Sequence, residues 1–250
     1  GQMHLISKSQ PETIVELIAE VALFRPGPLQ GGMVNPFIKR RRGEEPVSYD
    51  HPDLKHLLAD TYGVILFQEQ ILEVAHRFAG MSLEEADEFR SLMSKDHDPV
   101  KTEEIRSKFL AGAMARGIPS NTAKVVFEKM SHFVGYGFCR RHAAAFAKTI
   151  YHSAWMKCYH PDAHMAAFMQ HHPGFYNQMT LEEESRRFDV DVLYPAINES
   201  GMRFDLERHV KKQLAIRKPL TAINGVAEEV AQQIVWARLN GPFESVEELA

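Results

Sequence analysis

The side chains best equipped for chemistry fall in two stretches. Lys39-Arg40-Arg41-Arg42 is a run of four cations, and Gly135-Tyr136-Gly137-Phe138 leads into Cys139-Arg140-Arg141-His142. Cations in such a run suit phosphate oxygens, contacts that position a nucleic acid without reading its sequence. A solvated loop accounts for the same four residues. In the second stretch, two glycines flank an aromatic ring, so backbone amides there can approach a ligand closely. Basic groups follow where a helix is expected to start, and unpaired N–H groups together with the helix dipole favour an anion at that end. A plain helix–turn–helix connection has the same spacing, and both readings stand.

Other chemistries find less support. Cys139-x-x-His142 and Cys158-x-His160 offer two thiolates and two imidazoles, but roughly 16 residues of helix, ~24 Å, would separate them. One tetrahedral zinc site would require that helix to break. His160, His164, His171 and His172 read as surface histidines. No Ser-His-Asp order, Walker A loop or Gly-x-Gly-x-x-Gly fingerprint occurs. Asp189-Val-Asp191 has the spacing of a metal-clamping pair, but without a third carboxylate it reads as a polar pair on the surface.

The elements that must position these groups are mostly helices. Ser9-x-x-Glu12 has capping-box spacing, with Pro11 in the first turn and Ile14, Leu17, Ile18, Val21 and Ala22 as the apolar stripe. Arg25-Pro26-Gly27-Pro28 stops that helix, and Lys39 to Pro52 reads as a loop. Helices are expected from Gln68 to Ala79, from the Ser82-x-x-Glu85 capping box to Met93, and from Asp98-Pro99 to a Gly117 C-cap. Two more are expected from Ser120 to Val134 and from His142 to His160. Near Pro173 the pattern changes. Residues 189–194 and 202–206 alternate like strands, and a compact helical unit is expected from Leu214 onward. The fold class is therefore mainly α, with a few short strands late in the chain.

Composition bounds the class. Hydrophobic residues make up 44% and charged residues 25% of the 250, which excludes a disordered or fibrous chain. The balance of 29 basic against 33 acidic residues gives −4, so nucleic-acid binding would rest on local patches. With two cysteines, no signal peptide in its first residues and no apolar run of membrane-spanning length, the chain reads as cytoplasmic, with no membrane role. Residues 243–250 look like the opening turns of a helix, and the chain reads as cut at both ends.

Two resemblances follow from the motifs. Ala222-Ile223-Asn224-Gly225-Val226-Ala227, between a short helix and one from Glu228 to Arg238, resembles the helix–hairpin–helix motif. That motif grips a DNA phosphate through backbone amides; Ala227 stands here in place of its second glycine. Taken with the segments Ala22–Gln30, Thr61–Gln70, Gly80–Arg90, Phe133–Phe138, His142–Phe146 and Tyr159–Pro161, the chain resembles the bacterial C-family DNA polymerases, the polymerase III alpha subunit and its relatives. Gly31–Val34 through Arg42–Pro46 is closer to the damage-tolerant, error-prone branch.

The resemblance implies a helical fingers domain over residues 1–172, its first residues bordering the palm. Over 173–250 it implies a linker and a partial, truncated tandem helix–hairpin–helix domain. It implies a parent enzyme that adds deoxynucleoside triphosphates to a primer on a DNA template. The magnesium ions would be held by palm aspartates missing from this chain, leaving the fragment inactive alone. A sliding clamp and other replication or repair proteins would bind through missing regions. The implied nucleotide contacts are Arg90, Lys95, Tyr136, Gly137, Arg140, Arg141 and His142. Ser91 and Asp96 stand where the family carries further basic residues. The implied DNA contacts are Lys39, Arg40, Arg41 and Arg42, with Gly225, Val226 and Ala227. A rival reading is a non-catalytic DNA-binding module, whose duplex binding would depend on salt and ignore nucleotide.

Overall fold

The computed structural model describes residues 2–25, 28–29, 32–95, 99–132, 137–172, 174–209 and 214–249; the side chains of residues 2, 92–95, 99, 132 and 249 lie outside that description. The chain forms two compact units, Gly1–Ile150 and Tyr151–Ala250. Helix predominates in both, and the described strands form a single small sheet.

The first unit opens with α1 (Gln2–Ser9) and α2 (Ile14–Leu23). The capping box of α2 is Thr13 with Glu16, whereas Ser9 ends the preceding helix and spends its hydroxyl on the Leu5 carbonyl at 3.1 Å. Ser9-x-x-Glu12 and Thr13-x-x-Glu16 match the same template, and the helix that already contains Ser9 decides between them. The buried face of α2 is Ala19, Glu20, Ala22 and Leu23, with Ile14 exposed, so the stripe is rotated from the expected one.

α3 (Val34–Arg41) carries Lys39, Arg40 and Arg41 in its last turn. The expected loop therefore starts at Arg42, because cations at a helix C-terminus complement its dipole. A short helical turn, Pro52–Leu54, leads into α4 (Lys55–Leu58). α5 (Gln68–Glu73) widens into a π turn over Val74–Phe78. Buried Gln70 accepts from the Leu66 and Phe67 amides at 2.8 and 3.1 Å and donates to Thr61 Oγ1 at 2.8 Å, which fixes the approach to α5.

α6 (Leu83–Lys95), α7 (Pro99–Ala115) and α8 (Ser120–His132) follow. Ser82 and Glu85 cap α6 reciprocally at 3.1 and 2.9 Å, as the sequence predicts. Phe78, Phe89, Phe109 and Phe127 meet with ring centroids 5.5–6.4 Å apart and form the centre of the core. Gly112 of α7 lets the helix touch the Ala79 carbonyl, where any β-carbon would overlap the backbone. α9 (Arg140–Tyr159) begins in this unit.

In the second unit, Pro161 opens α10 (Pro161–His171), and Asn177 caps α11 (Gln178–Arg187) by accepting the Thr180 amide at 2.9 Å. The sheet order is β1 (Val192–Leu193), β3 (Leu214–Arg217), β2 (Asp205–Arg208). β1 runs parallel to β3 and β2 antiparallel, with Leu206 opposite Ile216. Leu214–Arg217 is thus a strand rather than the start of a helical unit. Its Ala215 and Ile216 are buried, and Ile216 packs with Met165, Met169, Leu181 and Val190. α12 (Glu228–Ala237) comes last of the longer helices.

Candidate functional site

Two stretches far apart in sequence are stitched together at the start of α9. Phe67 and Phe138 form a parallel bridge, the Gln68 amide donates to the Phe138 carbonyl at 3.0 Å, and Gln68 Nε2 donates to the Gly137 carbonyl at 2.8 Å. Glu69 completes the stitch: both its carboxylate oxygens lie 3.0 Å from the Arg140 amide, and Cys139 Sγ lies 3.6 Å from one of them. The helix end predicted to face a phosphate is therefore already capped by a carboxylate of the chain.

Arg25 and His142 meet at the Phe138 ring. The Arg25 guanidinium sits 3.9 Å over its ring, and His142 packs edge-on to it at 5.3 Å and to Phe146 at 4.6 Å. Arg140 turns the other way, pairing with Asp60 at 2.8 Å and lying over the Phe67 ring. Arg141 is exposed and has no ion pair among the described residues. Gly137, Arg140 and His142 are thus brought together, while Tyr136 lies outside the described residues. Arg25 joins them; its only sequence signal was the Arg-Pro-Gly-Pro turn it opens.

The other predicted residues sit elsewhere. Arg90, on α6, pairs with Asp87 at 2.7 Å. Lys95 ends the same helix, and its side chain lies outside the description. In the basic run, Arg40 pairs with Glu45 at 3.1 Å and donates to the Tyr62 carbonyl and Ser48 at 3.1 Å each. Arg41 forks onto both oxygens of Glu16 at 3.2 Å with its side chain only 8% exposed. Arg42 pairs with Glu44 at 3.0 Å. Lys39 is the one of the four that is exposed with no ion pair among the described residues.

Glu16 is the hub of this region. Burial pushes its pKa up, but hydrogen bonds from the Tyr62 hydroxyl, the Glu12 and Thr13 amides and Arg41 outweigh that and hold it at about 2. Burial and the same Glu16 bond push the Tyr62 phenol up to about 12. Most of the cationic run is therefore engaged in holding α2, α3 and the Tyr62 turn together.

In the second unit, Asn224 and Gly225 make a turn in which Gly225 adopts φ +89°, a conformation that favours glycine. The Val226 amide closes the turn on the Ile223 carbonyl at 3.1 Å. Ala227 is the N-cap of α12 and supplies no side-chain cap, which leaves that role open to an external acceptor. Glu228 and Glu229 in the first turn oppose an anion there. Among the described residues, no three His, Cys, Asp or Glu side chains converge as a metal site.

Residues 1–117 match the family described as the bacterial DNA polymerase III alpha subunit finger domain, and residues 189–250 match the helix-hairpin-helix motif. The whole chain aligns with proteins named error-prone DNA polymerase, at 38% identity in Nocardia farcinica and 40% in Anaeromyxobacter dehalogenans. It aligns at 36% with error-prone DNA polymerase 1 of Agrobacterium fabrum. The chain covers 22% to 24% of the length of these relatives.

Proposed function

We propose that this chain, whose residues 1–117 belong to the bacterial DNA polymerase III alpha-subunit finger-domain family, works as the fingers and part of the helix–hairpin–helix region of a DNA-directed DNA polymerase of the error-prone kind. Alignment of the entire chain with polymerases of that name carries the reading. Residues 1–172 are the fingers and 173–250 the linker and DNA-binding module of this proposal.

In phosphoryl transfer the protein contributes mainly positioning and charge stabilisation, and fingers contribute cations and a closing motion. Arg141, with Arg25 and the His142 ring beside it, has room to face an incoming triphosphate. Tyr136 and Gly137, and Arg90 and Lys95 from α6, are further proposed nucleotide contacts. Arg140 joins them only by exchanging its Asp60 partner. Lys39 is the DNA contact of the basic run, with Gly225 to Ala227 as a second. Arg40, Arg41 and Arg42 would have to release carboxylates to act on DNA.

In this proposal the magnesium belongs to a palm in the longer protein, so the chain does not polymerise by itself. A sliding clamp and other replication or repair partners, likewise, would bind the longer cytoplasmic protein.

The test is Arg141→Ala in the full-length parent enzyme, followed by primer extension at varied nucleotide. A raised KM for nucleotide with unchanged DNA affinity supports the reading. Unchanged nucleotide kinetics with weakened duplex binding would favour a DNA-binding module instead.

A further inference from the structure

A cavity of about 480 Å³ opens between α1, α2 and the start of α9, a size suited to a small organic ligand. Most of its wall is apolar, and Phe24, Phe138, His142 and Phe146 give it ring faces and edges. Glu20 also lines it, although the residue is only 4% exposed and, among the described residues, neither carboxylate oxygen has a hydrogen-bond partner. The neighbouring Ser9 hydroxyl gives its proton to the Leu5 carbonyl instead. Burial raises the Glu20 pKa, and Ser9 and Arg41 oppose this only in part. A buried acceptor left unpaired is costly, and a donor arriving from the cavity would relieve it.

Two free oxygens on one carboxylate match a planar group with two parallel N–H donors. A guanidinium and the N1–H/N2–H edge of guanine both carry that pattern. Arg25 lines the same cavity, so a second cation would meet like charge there. Guanine is uncharged, and its O6 and N7 are the acceptors that arginine pairs with. Aromatic walls add stacking surface for a base. We propose that this cavity binds a guanine base, with Glu20 accepting its paired N–H donors and Arg25 facing its acceptor edge. The cavity shares Arg25 and His142 with the proposed nucleotide surface, but selectivity for one base sets it apart, since an incoming-nucleotide site must accept all four.

The experiment is calorimetric titration of the full-length parent protein with guanosine 5′-monophosphate, adenosine 5′-monophosphate and methylguanidinium, for wild type and Glu20→Gln. Saturable guanosine monophosphate binding, weaker by roughly tenfold or more for the adenine nucleotide and for Glu20→Gln, is expected. The Glu20→Gln chain should keep its thermal midpoint, since the change removes a buried acidic group and preserves shape. Equal binding of the two nucleotides, or binding untouched by Glu20→Gln, would overturn the proposal, as would binding of methylguanidinium alone. Primer extension plays no part in the readout, so failure here leaves the polymerase reading where it stood.

Discussion

The Glu69 carboxylate caps the Arg140 amide from 71 residues away, with both oxygens at 3.0 Å. A long-range side chain thus does for α9 what a local Ser or Asp does for most helices. Replacing Glu69 by Ala should cost about 1–2 kcal/mol of stability, read as a lower midpoint in urea. An unchanged midpoint would mean that the contact adds nothing net.

Acid should loosen the α2–α3 junction. Glu16 titrates at about 2 when folded against an ordinary 4.5, so its contribution is present above pH 4.5 and is lost as pH falls through that window. The loss should be on the order of 2–3 kcal/mol, and Glu16→Gln should flatten the acid limb of the stability profile. Tyr62, raised from 10 to about 12, acts in the opposite sense: its contribution is full below pH 10 and fades as pH rises toward 12. Tyr62→Phe should therefore alter the alkaline limb.

The basic run should divide by role. Lys39→Ala should leave stability unchanged while lowering the salt slope of duplex binding by about one. Arg40→Ala removes hydrogen bonds to Glu45, Tyr62 and Ser48 and should instead lower the thermal midpoint. Equal loss of DNA affinity in both would restore Arg40 to the DNA surface.

Arg90→Ala in the parent enzyme should lower kcat/KM for nucleotide by tenfold or more, about 1.4 kcal/mol, with DNA affinity little changed. Steady-state kinetics with unaltered kcat/KM would remove Arg90 from the nucleotide surface.

Gly112→Ala should be the most damaging small change. Its β-carbon would fall on the Ala79 carbonyl, and backbone cannot swing aside as a side chain can, so about 3 kcal/mol or more should be lost. Circular dichroism on the purified variant checks this; a native thermal midpoint would show that α7 can shift.

Local signals were legible in the sequence, and distant ones were not. The Ser82–Glu85 box and the proline at the start of α7 were read correctly because each works within one turn. Ser9-x-x-Glu12 and Thr13-x-x-Glu16 stand back to back with the same template, and only the extent of α1 decides between them. Leu214–Arg217 is a strand because β1 and β2 flank it, and no window of four residues contains that fact. Lys39–Arg42 gave a charge signal whose partners, Glu16 and Glu45 among them, became visible only once the helices were packed. Glu20 and Glu69 carry no local signal for the same reason: one matters through burial, the other through a contact 71 residues away.

The Phe67–Phe138 bridge also sets a timetable. Leu66, Phe67 and Gln68 cannot complete their backbone pairing until Phe138 exists. During synthesis at roughly 5–20 residues per second, the segment before α5 therefore waits about 4 to 14 s for its partner to be made, and further while the ribosome tunnel releases it. Over that interval the apolar run Val64-Ile65-Leu66-Phe67, fully buried at the end, is left without its final cover. A nascent chain stalled between these two points would be the form of this protein most dependent on a chaperone.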